Sequence, residues 1–318
     1  MKGTGDDLTI ERTTAALFDL TFKNLIKLSS PAIVRFINGL FGTDYPPDST
    51  VDYPSTESVS NKLKKLMSDT IIVINGKHVY HVEAEISDED ENMAVRVFEY
   101  GYAEGLRTKA IEDDMVIIKF PNAKVIFWET TSKAPDMMTL RLMFPDGNHF
   151  DYEVQTFKFL EHSIFELEER KMAILLPFYV LKLRKQIKAA KSSEKLRELS
   201  LEMQQILNEL TDAAERCVKA DVICKTDMWT IHERIKQLYS ELYMQYPEFE
   251  EVNKMLEEKL KNSWEEVLAK GLENGLDIGV DIMRELKNNA PIESIAAKYN
   301  VPVSKVQQYQ AFLGTPVA

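Results

Sequence analysis

The stretch SDTIIVINGKHVYHVEAEIS (Ser68–Ser87) contains two runs rich in β-branched residues, separated by Asn75-Gly76. An Asn-Gly pair between two such runs is a strong short-range signal for a β-hairpin. The second run also carries Glu83 and Glu85, although strands are depleted in glutamate. The sequence therefore predicts a β-hairpin here, and the two glutamates in its second strand need a physical explanation.

Side chains of a β-strand alternate between its two faces. In YHVEAEI (Tyr80–Ile86), this places the apolar and aromatic side chains on one face and His81, Glu83 and Glu85 on the other. The apolar face is expected to join the core. The carboxylates of Glu83 and Glu85 would lie about 7 Å apart along the strand, from a rise of about 3.4 Å per residue.

The position of Asp69 relative to this polar face depends on the length of the hairpin loop. A two-residue loop at Asn75-Gly76 places Asp69 opposite Val82, on the apolar face. A three-residue loop that includes Lys77, or a bulge, places Asp69 opposite Glu83 with Cβ atoms about 5 Å apart. The sequence leaves both open. The second would gather carboxylates whose repulsion Mg²⁺ or Mn²⁺ would relieve.

Apolar periodicity and turn signals around the hairpin predict three helices and three further strands. The predicted helices are 15–28, 31–42 and 91–112, and the predicted strands are 124–132, 138–144 and 149–157. This order predicts an α/β fold in which helices pack on a mixed sheet.

From Ser163 onward the sequence predicts helices, with Pro177 as a kink or boundary. We expect three regions: an α/β domain in residues 1–190, a helical region in residues 191–270 and C-terminal helices in residues 271–318. Glycines recur every fourth residue from Gly271 to Gly279, a spacing that favours close packing of helices. The C-terminal helices could also form a homo-oligomer.

The tail IESIAAKYNVPVSKVQQYQ (Ile292–Gln310) has the pattern of a helix-turn-helix, with a turn at Tyr299–Pro302. Lys305, Gln307 and Gln308 could then face a major groove. The alternative is a short helical hairpin with no role in DNA binding, which would give the same pattern.

The chain has 318 residues and a formal net charge of -12. This acidity argues against non-specific coating of nucleic acid, because such binding depends on lysine and arginine. It does not exclude a nuclease, whose site must be acidic to hold metal. The apolar run AILLPFYVL from Ala173 is too short for a membrane span, and the first residues are too polar for a secretion signal. Cys217 and Cys224 lack zinc-site spacing, so we expect free thiols in a cytoplasmic protein without a membrane partner.

Six blocks of the sequence carry a resemblance to a known family. They are FDLTFKNLI from Phe18, SDTIIVI from Ser68, VEAEI from Val82, MAVRVFEYGY from Met93, KVIFWETTSKAPDMMTLRLMFPDG from Lys124 and ILLPFYVLKLRKQI from Ile174. Together they resemble the PD-(D/E)XK nuclease family transposases, the Rpn-like recombination-promoting nucleases of bacteria. The resemblance implies a restriction-endonuclease-like sheet flanked by helices, an all-helical C-terminal region, and metal-dependent cleavage of DNA in transposition or recombination.

The same resemblance implies roles for individual residues. Asp69 and Glu83 would bind Mg²⁺ or Mn²⁺, and Glu85 would complete the catalytic set by binding the metal or orienting the attacking water. Glu85 departs from the family pattern, which has lysine or glutamine there. Asp19 would be a further metal ligand from the first helix; the alternative is that it caps or solvates that helix.

Arg96 and Tyr100, one helical turn apart, and Lys23 are the candidate contacts to DNA phosphates. The alternatives are an ion pair of Arg96 with Glu99 or Glu104, and a solvated Lys23.

Two other functions fit the same sequence. One is a catalytically weak or inactive nuclease-fold protein that binds DNA or another protein, because Glu85 replaces the expected lysine or glutamine. The other is a helical oligomer in which the acidic N-terminal domain is only a scaffold.

Overall fold

The computed structural model describes residues 5–54, 70–87, 92–131, 134–288 and 290–299, together with residues 301–303, 306, 307 and 310. The chain forms two compact units, residues 1–257 and 258–318. Asp69 lies outside the described residues.

The described part of the first unit contains eight strands. They are β1 (Val51–Asp52), β2 (Ile71–Ile74), β3 (His78–Glu85), β4 (Ala110–Glu112), β5 (Met115–Ile117), β6 (Asn122–Phe127), β7 (Met137–Met143) and β8 (His149–Lys158). Six of them form one sheet in the order β1-β2-β3-β6-β8-β7, and β4 pairs only with β5. Strands β3, β6 and β8 are parallel, whereas the other pairs in the sheet are antiparallel. The prediction of an α/β fold with a mixed sheet is therefore confirmed.

Nine α-helices lie in the described ranges. They are α1 (Gly5–Leu25), α2 (Ser30–Phe41), α3 (Met93–Arg107), α4 (Ile164–Glu169), α5 (Arg184–Ala189), α6 (Ser193–Lys219), α7 (Lys225–Tyr243), α8 (Glu250–Lys287) and α9 (Ile292–Lys298). Pro177 lies inside a 3₁₀ segment, Ala173–Leu183, and not at a kink of one long α-helix. None of the helices in these ranges combines the length and apolar character that crossing a membrane requires.

The loop between β2 and β3 has three residues. Ile74 pairs with His78, so Asn75, Gly76 and Lys77 form the connection. Asn75 and Gly76 have φ values of 53° and 63°, a left-handed conformation that Asn and Gly tolerate best. The ladder extends beyond Ile71, because the Val82 amide donates to the Thr70 carbonyl at 3.0 Å. Of the two loop lengths that the sequence left open, the structure contains the longer.

The helix predicted for residues 91–112 is wrong at its C-terminal end. Helix α3 ends at Arg107, and residues 110–112 form β4, which pairs with β5 across the turn Asp113-Asp114. Both turn residues have positive φ, 50° and 63°, as the type I′ hairpin requires. The β-branched residues that follow gain a cross-strand partner, which a longer helix would not give them.

Helices cover both faces of the sheet. On one face, Met93 and Val97 of α3 pack against Val125, Phe127 and Val154. On the other face, Trp128 stacks on Phe178 with ring centroids 3.8 Å apart and contacts Phe22 of α1 at 5.6 Å. The polar face of β3 therefore lies under α3.

The second unit has a small core of its own. Ile282, Ile295, Ala296 and Val306 are buried together, and the Tyr299 hydroxyl donates to Glu285 at 3.0 Å. Helix α9 begins directly after Pro291, as expected from the fixed φ of proline. Of the three residues predicted to face a groove, Gln307 is exposed, whereas Lys305 and Gln308 lie outside the described residues.

Candidate functional site

The polar face of β3 is buried at its centre and opens toward its end. The side chains of His81 and Glu83 are 0% and 1% exposed, whereas that of Glu85 is 28% exposed. Alternation places all three side chains on one face, so the gradient reflects how far the packed elements cover that face along the strand. A buried carboxylate is costly unless it is paired, so the partners of Glu83 decide what this face can do.

Arg96 bridges the two glutamates. One guanidinium nitrogen donates to Glu83 Oε1, and the other donates to Glu85 Oε2 at 3.1 Å. The bridge joins the first turn of α3 to β3. Glu104, one of the partners suggested by the sequence, is held instead by Arg107 at 2.6 Å. The structure thus brings Glu83, Glu85 and Arg96 together.

His81 completes this cluster. Its Nε2 lies 3.4 Å from Glu83 Oε2, and the Tyr100 ring meets the imidazole edge-on with centroids 5.6 Å apart. Among the described residues, His81 Nδ1 is buried without a hydrogen-bond partner. Tyr100 therefore packs against the imidazole that faces Glu83.

Burial and the two neighbouring side chains act on Glu83 in opposite directions. Burial raises the pKa of the Glu83 carboxyl, but hydrogen bonds and charge interactions with His81 and Arg96 outweigh it, and the net pKa is lowered. For Arg96, burial lowers the pKa, but the charge of Glu83 and hydrogen bonds to both glutamates raise it overall. Glu83 and Arg96 are therefore both ionised at neutral pH.

The lowered pKa of Glu83 gives a stability contribution that depends on pH. A carboxyl whose pKa is depressed on folding stabilises the protein fully above its unfolded pKa, about 4.5, and loses this contribution as pH falls through the folded pKa. We expect the difference in unfolding free energy between wild type and Glu83→Gln to be constant near neutral pH and to shrink below about pH 4.5. Urea unfolding at a series of pH values measures it. A difference that grows on acidification would contradict the ion pair.

Asp19 and Lys23 lie apart from this cluster. Asp19, on α1, accepts a hydrogen bond from Lys23 at 2.9 Å. Asp19 borders a cleft of about 240 Å³ that is also lined by Ala84, Glu85 and Trp128. Glu85 therefore both lines the cleft beside Asp19 and pairs with Arg96. Glu83 does not line that cleft.

The described carboxylates fit a hard divalent cation by their chemistry. However, Arg96 holds both Glu83 and Glu85, and no group of three or more His, Cys, Asp or Glu side chains able to hold a metal forms within the described ranges. A metal would need a further oxygen ligand and release of the carboxylates by Arg96.

A second buried ion pair lies near the same end of strands β3 and β6 and was missed from the sequence. Arg184 donates to Glu129 at 3.0 Å, and both side chains are almost fully buried. The Glu129 amide donates to the Ile86 carbonyl. Glu129 therefore lies just after β6, beside the C-terminal end of β3. A polar residue directly after an apolar strand was the available signal, but its partner is 55 residues away.

Protein-family models, curated proteins and solved structures were each compared with this chain, and none matched.

Proposed function

We propose that this chain is a metal-dependent DNA endonuclease with a restriction-endonuclease-like N-terminal domain, acting in transposition or recombination. The single observation that carries the proposal is the three-residue loop Asn75–Lys77. It sets β2 and β3 in a register that, if it continued two residues beyond Ile71, would pair position 69 with Glu83. A nuclease site formed by Asp69 and Glu83 requires that register.

The sheet supports the same proposal. A parallel centre of β3, β6 and β8 flanked by the antiparallel strand β2 gives a mixed sheet in which the candidate acids lie at and beyond the middle of β3. Helices on both faces leave the Glu85 end of the strand accessible, next to the Asp19 cleft. A phosphodiester approaching this end would meet Glu85 first and Glu83 behind it.

In this proposal Asp69 and Glu83 bind Mg²⁺ or Mn²⁺, Glu85 binds the ion or orients the attacking water, and Asp19 is a candidate further ligand. The ion would act as a Lewis acid on the phosphate and on that water. Arg96 would leave the carboxylates, and its guanidinium would be free to contact a phosphate oxygen in bidentate fashion. Tyr100 would continue to hold His81, and Lys23 would contribute positive charge beside Asp19.

A second candidate function is favoured by the Arg96 bridge itself. The guanidinium already pairs with both Glu83 and Glu85, and Glu85 stands where an active nuclease commonly has lysine. Under this alternative the cluster is a structural ion pair, and the protein binds DNA or another protein without cleaving it.

Plasmid nicking separates these functions. Supercoiled DNA is incubated with wild type, Asp69→Asn or Asp113→Asn in the presence of Mg²⁺, Mn²⁺ or a chelator. Asp113 is the matched control, because it lies in the exposed β4–β5 turn and asparagine accepts its positive φ. We expect nicking by wild type and Asp113→Asn only with metal, and no nicking by Asp69→Asn.

Equal cleavage by wild type and Asp69→Asn would exclude the proposed site. DNA binding without cleavage by any of the three proteins would favour the second function. A protein that neither binds nor cleaves the plasmid would contradict the endonuclease and would leave, of the second function, only the binding of another protein.

A further inference from the structure

Among the strands that the structure describes, β7 forms one edge of the sheet and pairs only with β8. It has seven residues, Met137–Met143, whereas the strand at the opposite edge, β1, has two. An edge strand presents backbone N–H and C=O groups that another strand can bind, and short edges reduce this tendency. The short strand β1 therefore protects its edge of the sheet from pairing with another strand, whereas β7 is long enough to accept one.

The usual chemical protection is also weak at β7. Natural edge strands avoid pairing through lysine, proline or a bulge. The one charged residue in β7 is Arg141. Its guanidinium donates two hydrogen bonds to Asp151 of the neighbouring strand β8, both 2.7 Å. Met137 and Met143, at the two ends of the strand, are 42% and 65% exposed. The edge is therefore apolar and locally neutral.

The hydrogen bonds to β8 show which backbone groups face outward. The Phe144 amide donates to Asn148, and the Thr156 amide donates to Asp136. In an antiparallel ladder, residues bonded to the partner strand alternate with residues that are not. Even-numbered residues therefore bond to β8. The odd-numbered ones, Met137, Thr139, Arg141 and Met143, direct their N–H and C=O groups away from the sheet.

We propose that β7 pairs antiparallel with β7 of a second copy of this chain, about a twofold axis at Leu140. The occupant follows from the symmetry of MMTLRLM about Leu140: apolar residues stand at equal distances on both sides, and Thr139 on one side answers Arg141 on the other. A twofold at Leu140 pairs Thr139 with Arg141 of the second copy, and Met137 with its Met143. All four residues direct their N–H and C=O groups outward, so in this register each of these pairs can form backbone hydrogen bonds between the two copies.

The side chains fit the same register. Leu140 meets its own copy, and Met138 meets Leu142 of the second copy, which keeps apolar residues together on the α3 side of the sheet. Arg141 lies opposite threonine and not opposite another arginine, so no like charges face each other, an arrangement that would destabilise the pair. The contact is isologous, as expected of a C₂ dimer, and joins two sheets into one.

Site-specific cross-linking tests this register in full-length protein. Leu140→Cys and Leu142→Cys are prepared in a Cys224→Ser background, which removes the exposed native thiol. Position 140 meets itself across the axis, whereas position 142 meets position 138. We expect oxidation to give a disulfide-linked dimer with Leu140→Cys and little with Leu142→Cys, the matched control on the same strand face.

Sedimentation of the wild type and of Thr139→Pro provides the second measurement. Proline removes an outward N–H, which leaves the bonds to β8 intact, and a thermal melt checks that the variant is folded. We expect a dimeric wild type and a monomeric variant. A monomeric wild type would overturn the proposal, as would equal cross-linking at positions 140 and 142. A dimer unaffected by Thr139→Pro would also overturn it and would point to another surface, such as the C-terminal helices suggested by the sequence.

Discussion

Glu83→Gln is expected to abolish metal-dependent nicking and to lower the free energy of unfolding by about 2 kcal/mol, the range for hydrogen bonds to charged groups. Both effects arise from one carboxylate. Glu83 is buried, and its carboxylate contacts the Arg96 guanidinium and the His81 imidazole. Under the proposed function it is also a metal ligand. Glutamine keeps the shape but removes the charge, so it leaves Arg96 with Glu85 as its remaining carboxylate in the cluster.

Glu153→Gln is the matched control for this experiment. Glu153 is an exposed glutamate on β8, where a surface substitution should change stability by no more than about 0.5 kcal/mol. Urea unfolding in the presence of a chelator measures stability without any contribution from metal, and nicking is measured separately. Loss of stability with nicking retained would mean that Glu83 serves only the ion pair. Unchanged stability and unchanged nicking would contradict both roles.

The face of β3 that carries the acids could be predicted from the sequence because alternation is a local property. YHVEAEI needs no distant contact to place Glu83 and Glu85 on one side. The loop length could not be settled in the same way. Asn75-Gly76 by itself favours a two-residue turn, and the longer loop makes contacts outside the hairpin that the local sequence does not reveal. The Asn75 side chain, for example, accepts a hydrogen bond from the Thr50 amide at 3.0 Å.

The partners of Arg96 could not be predicted for a related reason. Helical spacing suggests partners within a turn or so of the same helix, but Glu83 and Glu85 lie 13 and 11 residues away on a strand. Only the packing of α3 on the sheet brings them together. The β4–β5 ribbon was missed because its residues continue a helical pattern, and the Asp113-Asp114 turn outweighs that pattern. Tertiary contacts determine the partners of Arg96, and turn chemistry determines the β4–β5 ribbon. Local periodicity predicts neither.

Arg184→Met is expected to lower the free energy of unfolding by about 3–5 kcal/mol, the cost of removing one partner of a buried ion pair. The guanidinium contacts Glu129 at 3.0 Å and also lies over the Phe18 ring, 5.9 Å from its centroid. Its loss leaves the buried Glu129 carboxylate without its charged partner. Urea unfolding at neutral pH measures the change.

The double variant Glu129→Leu/Arg184→Met separates a buried charge from lost packing. Because it removes both charges, its stability should recover most of the loss and approach that of wild type. The exposed pair of Lys195 and Glu198 is the control: its hydrogen bond is shorter, 2.8 Å, but Lys195→Met should cost far less than Arg184→Met. Equal losses at Lys195 and Arg184 would show that bond geometry, and not burial, sets the contribution. A double variant as unstable as Arg184→Met would show that the side chains matter for packing and not for charge.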